Sequence, residues 1–273
     1  MSEPGGMTPE EVRAVMTGEY PGMATKRRRF RRVPSDPRCK LCAAPFGGMG
    51  GVAFRAAGHG RSPGNPALCE KCETTLMRHG VTGVEIPVTL LFSDVRGSTS
   101  MGERMRPSEF RAFLEHFYRL ASHAIARHDG IVDKIVGDEV IGLFFGGISG
   151  ANHAGAAISA ALDLANAAAE PNATPSGPIP AGTAVHTGDA FVGSSGQGGT
   201  VDDFTAVGDV VNTTARLASA AGAGEVIVSL AAARRSGTAT SALERRTLEI
   251  RGRSEPIDVV VLRPTQPTLD ATS

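Results

Sequence analysis

No stretch of this 273-residue chain approaches the ~20 consecutive apolar residues that a membrane-crossing helix needs. The N-terminus also lacks the apolar segment of a secretory leader. These two absences argue against a membrane span and against export, and point to a soluble, cytoplasmic protein. Net charge is missing as well, since 28 Lys+Arg are matched by 28 Asp+Glu. Cysteine and lysine are scarce, at four residues each. What is present is a globular composition, 41% hydrophobic and 21% charged, long enough for an ordinary domain plus a small one.

The zero charge hides an asymmetry. Residues 1–80 carry thirteen Lys+Arg and seven Asp+Glu, whereas residues 81–273 carry fifteen and twenty-one. A neutral chain made of a +6 segment and a −6 segment reads as two units. Only one lysine, Lys134, lies beyond residue 80, among fourteen arginines. Arginine and lysine solvate a surface about equally well, so a single lysine there suggests a site that needs a compact ammonium, set against chance in an arginine-biased composition.

The basic, partly disordered N-terminal segment, residues 1–36, holds a short helical candidate from Pro9 to Met16 and the run KRRRFRR at 26–32. Such runs are most often solvated, and Phe30 is the lone aromatic within it, so nucleic-acid binding is not favoured. All four cysteines then fall in two C-x-x-C pairs, Cys39/Cys42 and Cys69/Cys72, within a module at 37–80. Twenty-six loop-like residues separate the pairs. Two such knuckles can present four thiolates tetrahedrally to one zinc ion, and an iron–sulfur cluster also takes four thiolates. Redox-active or unmetallated thiols remain a further alternative, and a reducing compartment disfavours local disulfides. Zinc is the working assignment.

From residue 84 the pattern alternates. VEIPVTLLF (84–92) is a buried strand ending at Ser93-Asp94, and Pro107 to Arg127 carries Phe110, Phe113, Leu114, Phe117, Leu120, Ala121, Ala124 and Ile125 at helical spacing. Ser108 and Asp129-Gly130 mark its boundaries. IVDKIV (131–136) and EVIGLFF (139–145) flank Gly137-Asp138 as a tight hairpin, and Ala151 to Glu170 is an alanine-rich helix. Residues 182–196 read as a strand, a turn at Thr187-Gly188-Asp189, and a second strand. A helix over 208–221 and strands at 226–230 and 257–262 complete the domain, before a disordered tail at 264–273. The order β-α-β-β-α-β is an α+β, ferredoxin-like arrangement.

Two constellations carry chemistry. Asp94 ends the first strand and Asp138 sits at the hairpin tip, so a strand beside that hairpin brings both carboxylates to one edge, where they suit Mg²⁺ or Mn²⁺ on a nucleoside triphosphate. The following Arg96-Gly97-Ser98-Thr99 leads to a helix and can offer backbone N–H groups to phosphate. Asn212 and Arg216, four apart, share one face of a helix and can orient a sugar and neutralise a phosphorane.

The stretches LLFSDVRGST (90–99), IVDKIVGDEVIGLF (131–144), VHTGDAFVG (185–193), DFTAVGDVVNTTARL (203–217) and EIRGRSEPIDVVVL (249–262) resemble the catalytic domain of the class III nucleotidyl cyclases. The resemblance spans about 85–262, within a catalytic domain expected at 84–263. It implies active sites formed only at the interface of a head-to-tail homodimer. It implies that Asp94 and Asp138, with the Val95 carbonyl, hold two Mg²⁺ or Mn²⁺ ions. Lys134 then reads adenine with Thr205 at the partner position, Asn212 orients the ribose, Arg216 stabilises the transition state and Arg251 meets the triphosphate. Lys134 and Asp138 would serve different sites, because the base-reading side comes from the other protomer.

Two departures stand out. Ser98 occupies the place of the family's usual phenylalanine, and Thr205 that of its usual aspartate. A threonine hydroxyl still accepts from the exocyclic amine of adenine, and Lys134 contradicts the guanine-type Glu with Cys or Ser. The resemblance therefore implies an adenylate cyclase converting ATP to 3′,5′-cyclic AMP and pyrophosphate. The alternatives are a guanylate cyclase, a catalytically silent nucleotide-binding or zinc-dependent regulatory module, and a diguanylate-type cyclase, which the missing second glycine and phenylalanine of its hairpin disfavour. The cysteine module lies outside the resemblance, as a site for a regulatory partner.

Overall fold

The computed structural model describes residues 8–35, 37–63, 68–77, 83–195, 203–250 and 255–264. Helices α1 (Pro9–Thr17), α2 (Met23–Phe30), α3 (Gly48–Phe54) and α4 (Glu70–Met77) precede the sheet, with a π-helical turn over Arg55–His59. Then follow β1 (Gly83–Val95), α5 (Ser98–Arg104), α6 (Pro107–Arg127), β2 (Ile131–Val136), β3 (Glu139–Phe145), α7 (Gly146–Ser149), α8 (His153–Ala169), β4 (Ala181–Ser195) and β5 (Asp203–Val207). The chain continues through α9 (Asp209–Ala220), β6 (Val226–Ser229), α10 (Leu230–Ser236), β7 (Glu244–Leu248) and β8 (Ile257–Leu262).

The sheet order is β2-β3-β1-β4-β6-β8-β7, with β5 pairing β4 beside this path. Its first four members, with α6 and α8 as crossovers, make the ferredoxin-like unit. β1 lies antiparallel between β3 and β4, and β6 extends the sheet parallel to β4. Helices cover both faces. Leu91 and Val95 of β1 pack with Phe113, Phe117, Ile125 and Leu164 on one side. Val88, Leu90 and Phe92 pack with Val210 and Leu217 of α9 on the other. A strand buried on both faces must be apolar nearly throughout, which is why residues 84–92 show so little polar alternation.

Helix α6 and the β2–β3 hairpin fall where the periodicity sets them, with Asp129 at φ 56° just past the helix end. At its start the cap is Arg106 followed by Pro107, closed by Glu109, rather than Ser108. Residues 182–196 differ from expectation more deeply. Instead of turning at Thr187-Gly188-Asp189, β4 runs unbroken to Ser195, with Thr187, Gly188 and Asp189 opposite Thr89, Val88 and Pro87. Gly188 is there for packing, because a Cβ on it would lie 3.2 Å from a methyl of Val210. β5 pairs antiparallel with β4, and the residues between them lie outside the described set. Residue 251 and the expected tail beyond 264 also lie outside it.

The cysteine segment is not loop-like throughout, since the GGMGG run at 47–51 lies largely in α3. Glycine disfavours an isolated helix, so packing maintains this one. The segment is fastened to the sheet by α1, capped by a Thr8–Glu11 box. Val12 and Met16 enter the core that contains β1, while Val15 joins the core around the cysteines. Gly146 and Gly147 admit this helix end, because a Cβ on Gly147 would fall 2.4 Å from the Val15 carbonyl oxygen. From the basic run, Arg27 donates to the carbonyls of Gly147 (2.5 Å) and Ile148 (3.0 Å). Lys40 donates to the Ala126 carbonyl at the end of α6 (2.5 Å) and reaches Asp129 at 3.5 Å. Among the described residues, no helix is long and apolar enough to cross a membrane.

Candidate functional site

Three groups of side chains carry the candidate chemistry. The first is acidic. Register places Asp94 opposite Glu139, the residue after Asp138, so β1 and the hairpin tip meet at one sheet end. Gly137 adopts φ 60° in the turn, and the Tyr118 hydroxyl donates to its carbonyl, holding the tip against α6. Arg96 reaches back to form an ion pair with Asp94 and donates to the Ser219 carbonyl at 3.1 Å. Burial pulls the Arg96 guanidinium below its ordinary pKa, opposed by Asp138 and Glu139. Burial, then the neighbouring Asp138, pushes Glu139 up. Asp94, Asp138 and Glu139 around Arg96 are a hard-oxygen donor set of the kind that fits Mg²⁺ or Mn²⁺. Ser98 and Thr99 open α5 directly after Gly97, which sits at φ 72°.

The second group lies farther along the same hairpin. Lys134 on β2 pairs with Ile141, after a register shift between Val132 and Lys134. The residue inside that shift, Asp133, accepts a hydrogen bond from the Thr205 hydroxyl of β5 at 3.0 Å. Thr205, distant in sequence, is thus tied to the neighbour of Lys134 on β2. Sequence reasoning passed over Asp133, whose one available signal was adjacency to Lys134. Exposed apolar side chains surround these residues: Val132, Ile135 and Val136 on β2, Phe191 and Val207 on β4 and β5. Phe191 and Val207 are register partners.

The third group is Asn212 and Arg216, both exposed on α9, while Val210, Thr213, Thr214, Leu217 and Ala218 are buried beneath them. Arg251 lies outside the described residues and cannot be set beside them.

A separate centre occupies the N-terminal segment. Cys39, Cys42, Cys69 and Cys72 are buried, unpaired as disulfides, and their sulfurs all lie within 4.8 Å of one another. Cys42 and Cys69 Sγ are 3.7 Å apart. Four thiolates on one tetrahedral zinc at ~2.3 Å have sulfurs about 3.8 Å apart, so the spacing fits a single ion. Backbone N–H groups of Cys42 and Cys69 donate to Cys39 Sγ at 3.5 and 3.3 Å. Sulfur hydrogen bonds from Cys42, Cys69 and Cys72 pull the Cys39 thiol down, while those with Cys39, Cys42 and Cys69 push Cys72 up. Four thiols this close cannot all ionise without a cation among them. His59, which sequence reasoning missed, places Nδ1 3.2 Å from Cys69 Sγ. Burial, then Lys26 and Lys71, holds it below the usual histidine pKa.

A family model described as "Adenylate and Guanylate cyclase catalytic domain" matches residues 84–263. An adenylate cyclase of Anabaena cylindrica is 35% identical over 133 residues, which are 48% of this chain and 26% of that protein. Adenylate cyclase 1 of Rhizobium meliloti is 32% identical over 136 residues, 48% of this chain and 20% of that protein. The chain thus spans about a quarter or less of these relatives' length. Among solved structures, the guanylyl cyclase Cya2 superposes with TM-score 0.61 at 25% identity, covering 69% of this chain and 98% of that one. The adenylyl cyclase CyaB from P. aeruginosa gives 0.56 at 25%, covering 67% and 96%.

Proposed function

The chain belongs to the adenylate and guanylate cyclase catalytic-domain family, and we propose that it converts ATP to 3′,5′-cyclic AMP and pyrophosphate at sites shared between two protomers. The observation that supports the choice of ATP is the hydrogen bond from Thr205 to Asp133, the neighbour of Lys134 on β2, which ties the Thr205 hydroxyl of β5 to the strand that carries the ammonium donor. The ammonium donates to the ring nitrogen of adenine that lacks a proton, and the hydroxyl accepts from its exocyclic amine. Two relatives named adenylate cyclase support the same substrate.

In this reading Asp94, Asp138 and the Val95 carbonyl hold two Mg²⁺ or Mn²⁺ ions. Bound there, divalent ions would reduce the charge on the triphosphate and ease loss of the proton from the ribose 3′-hydroxyl. Asn212 fixes the ribose so that its 3′-oxygen lies in line with the α-phosphorus. Arg216 faces the charge that builds there as the new P–O bond forms and the bond to pyrophosphate breaks. Ser98 and Thr99 would meet the phosphates, a role the resemblance also gives to Arg251. The exposed apolar side chains on β2, β4 and β5 flank the base-reading residues and support a head-to-tail partner covering that surface.

For the cysteine module we infer one structural zinc ion. The sulfur spacing favours a single ion over an iron–sulfur cluster, whose cysteines bind different irons and so stand farther apart. Its presence would order a segment with a small apolar core of its own.

Incubating pure protein with ATP or GTP and Mn²⁺, with mass spectrometry of the products, tests the activity. Cyclic AMP and pyrophosphate in equal amounts are expected from ATP. A persistent dimer that makes only cyclic GTP would assign the guanylate reading, which similarity to a guanylyl cyclase structure keeps in view. One that makes neither would leave a nucleotide-binding module.

A further inference from the structure

A hydroxyl is both donor and acceptor, so Thr205 alone can accept from the exocyclic amine of adenine or donate to the exocyclic oxygen of guanine. Its preference depends on where its single proton points. Here that proton is engaged: Thr205 Oγ1 donates to Asp133 Oδ2 at 3.0 Å. A carboxylate oxygen is an acceptor, and the bond runs from the Thr205 hydroxyl to it. With its hydrogen spent on Asp133, the hydroxyl has only lone pairs left for a ligand.

The backbone explains how Asp133 reaches this position. In a regular strand Asp133 and Lys134 would point to opposite faces. The pairing of β2 with β3 shifts register between Val132 and Lys134, leaving Asp133 as the extra residue of a bulge. Bulges re-aim side chains, and this one turns Asp133 toward β5. Thr205 is only 5% exposed, so its hydroxyl is shielded from the water that would otherwise compete for its proton.

We propose that Asp133 is a positioning residue for substrate specificity, which fixes the Thr205 hydroxyl as an acceptor and so favours an adenine over a guanine nucleotide. Asp133 does not itself contact the base. It acts through Thr205, and Lys134 adds the complementary donor, giving one donor and one acceptor matched to the edge of adenine. Guanine meets the reverse pattern at both positions. The inference rests on the adenylate cyclase reading and adds to it the residue that makes a threonine selective.

The test compares kcat/KM for ATP and for GTP in native protein, Asp133→Leu, Asp133→Asn, Thr205→Val and the Thr205→Val/Asp133→Leu double variant. Dissociation constants for both nucleotides are measured alongside. Asp133→Leu keeps the bulk and loses the acceptor, and the ATP-over-GTP ratio is expected to fall about tenfold, the scale of one neutral hydrogen bond. The loss should appear in KM more than in kcat. Asp133→Asn, whose amide oxygen still accepts, should retain most of the ratio. With Thr205→Val in place, Asp133→Leu should change the ratio less than twofold, because the hydroxyl it orients is gone.

An unchanged ratio in folded Asp133→Leu overturns the proposal while leaving the ATP reading intact. An equal fall in the Thr205→Val background also overturns it, since that marks a purely structural role. A native preference for GTP overturns both inferences. If turnover is absent, the same ratios of dissociation constants decide the matter. Should Asp133→Leu fail to fold, Asp133→Ala takes its place under the same expectations.

Discussion

Residues 83–264 close two apolar layers around an eight-stranded sheet, whereas the preceding segment gathers four thiols and an imidazole within a much smaller apolar cluster. The sheet is held by buried Leu, Ile, Val, Phe and Ala contributed from elements distant in sequence. The cysteine segment brings its elements together around sulfur. The difference teaches that these two parts of one chain should respond to different chemical insults. They are nevertheless joined, because α1 gives Val12 and Met16 to one core and Val15 to the other.

Removing the thiols or the metal should separate the two regions most sharply. A Cys39→Ser/Cys69→Ser variant, or native protein treated with a strong chelator, is expected to lose hydrogen-exchange protection across residues 37–77. Structural zinc can supply on the order of 10 kcal/mol to so small a unit, so the loss should be near complete there. The strands at 83–95 and 139–145 should stay protected, with a modest loss near α1. Equal loss in both regions would mean that they fold as one unit.

Acid should reach the sheet domain as well, through a single buried histidine and with smaller effect than metal removal has on the cysteine segment. His153 is buried in the sheet domain, its Nε2 accepting from Arg235 Nε at 2.9 Å and its Nδ1 2.8 Å from the Thr89 hydroxyl. Burial, then the charge of Arg235, pulls its pKa down to about 4. The folded domain therefore resists protonation that the unfolded chain accepts near pH 6.5. This contribution is complete above pH 6.5 and is lost as pH falls from there toward 4, at most about 3 kcal/mol. Urea unfolding of native protein and His153→Gln between pH 7.5 and 4.5 should show the native curve falling more steeply. Parallel curves would contradict the role given to His153.

The same contrast explains what could be read from the sequence. Helix α6 and the β2–β3 hairpin were legible to the residue because apolar periodicity and a two-residue turn are local signals. The continuous β4 was not legible, since Gly188 and Asp189 look like turn residues until β1 and Val210 are seen against them. Helices α2, α3 and α4 escaped notice because α3 is glycine-rich and α2 and α4, at eight residues each, are too short to show an apolar periodicity. Of the candidate site, Asp94 meeting the hairpin tip followed from strand order. The part played by Asp133 depends on a bulge and on a strand seventy residues away, neither of which leaves a trace in local pattern. His59 was missed for a similar reason, as a lone histidine in a glycine-rich stretch.

The central claim is that each active site draws Asp94 and Asp138 from one protomer and Asn212 and Arg216 from its partner. Mixing Asp94→Ala protein with Arg216→Ala protein under conditions of subunit exchange tests it directly. Each variant alone should be inactive, and the mixture should recover about a quarter of native activity, since half the dimers are mixed and each holds one complete site. A mixture that forms heterodimers and stays inactive, beside active native enzyme, would contradict the shared site.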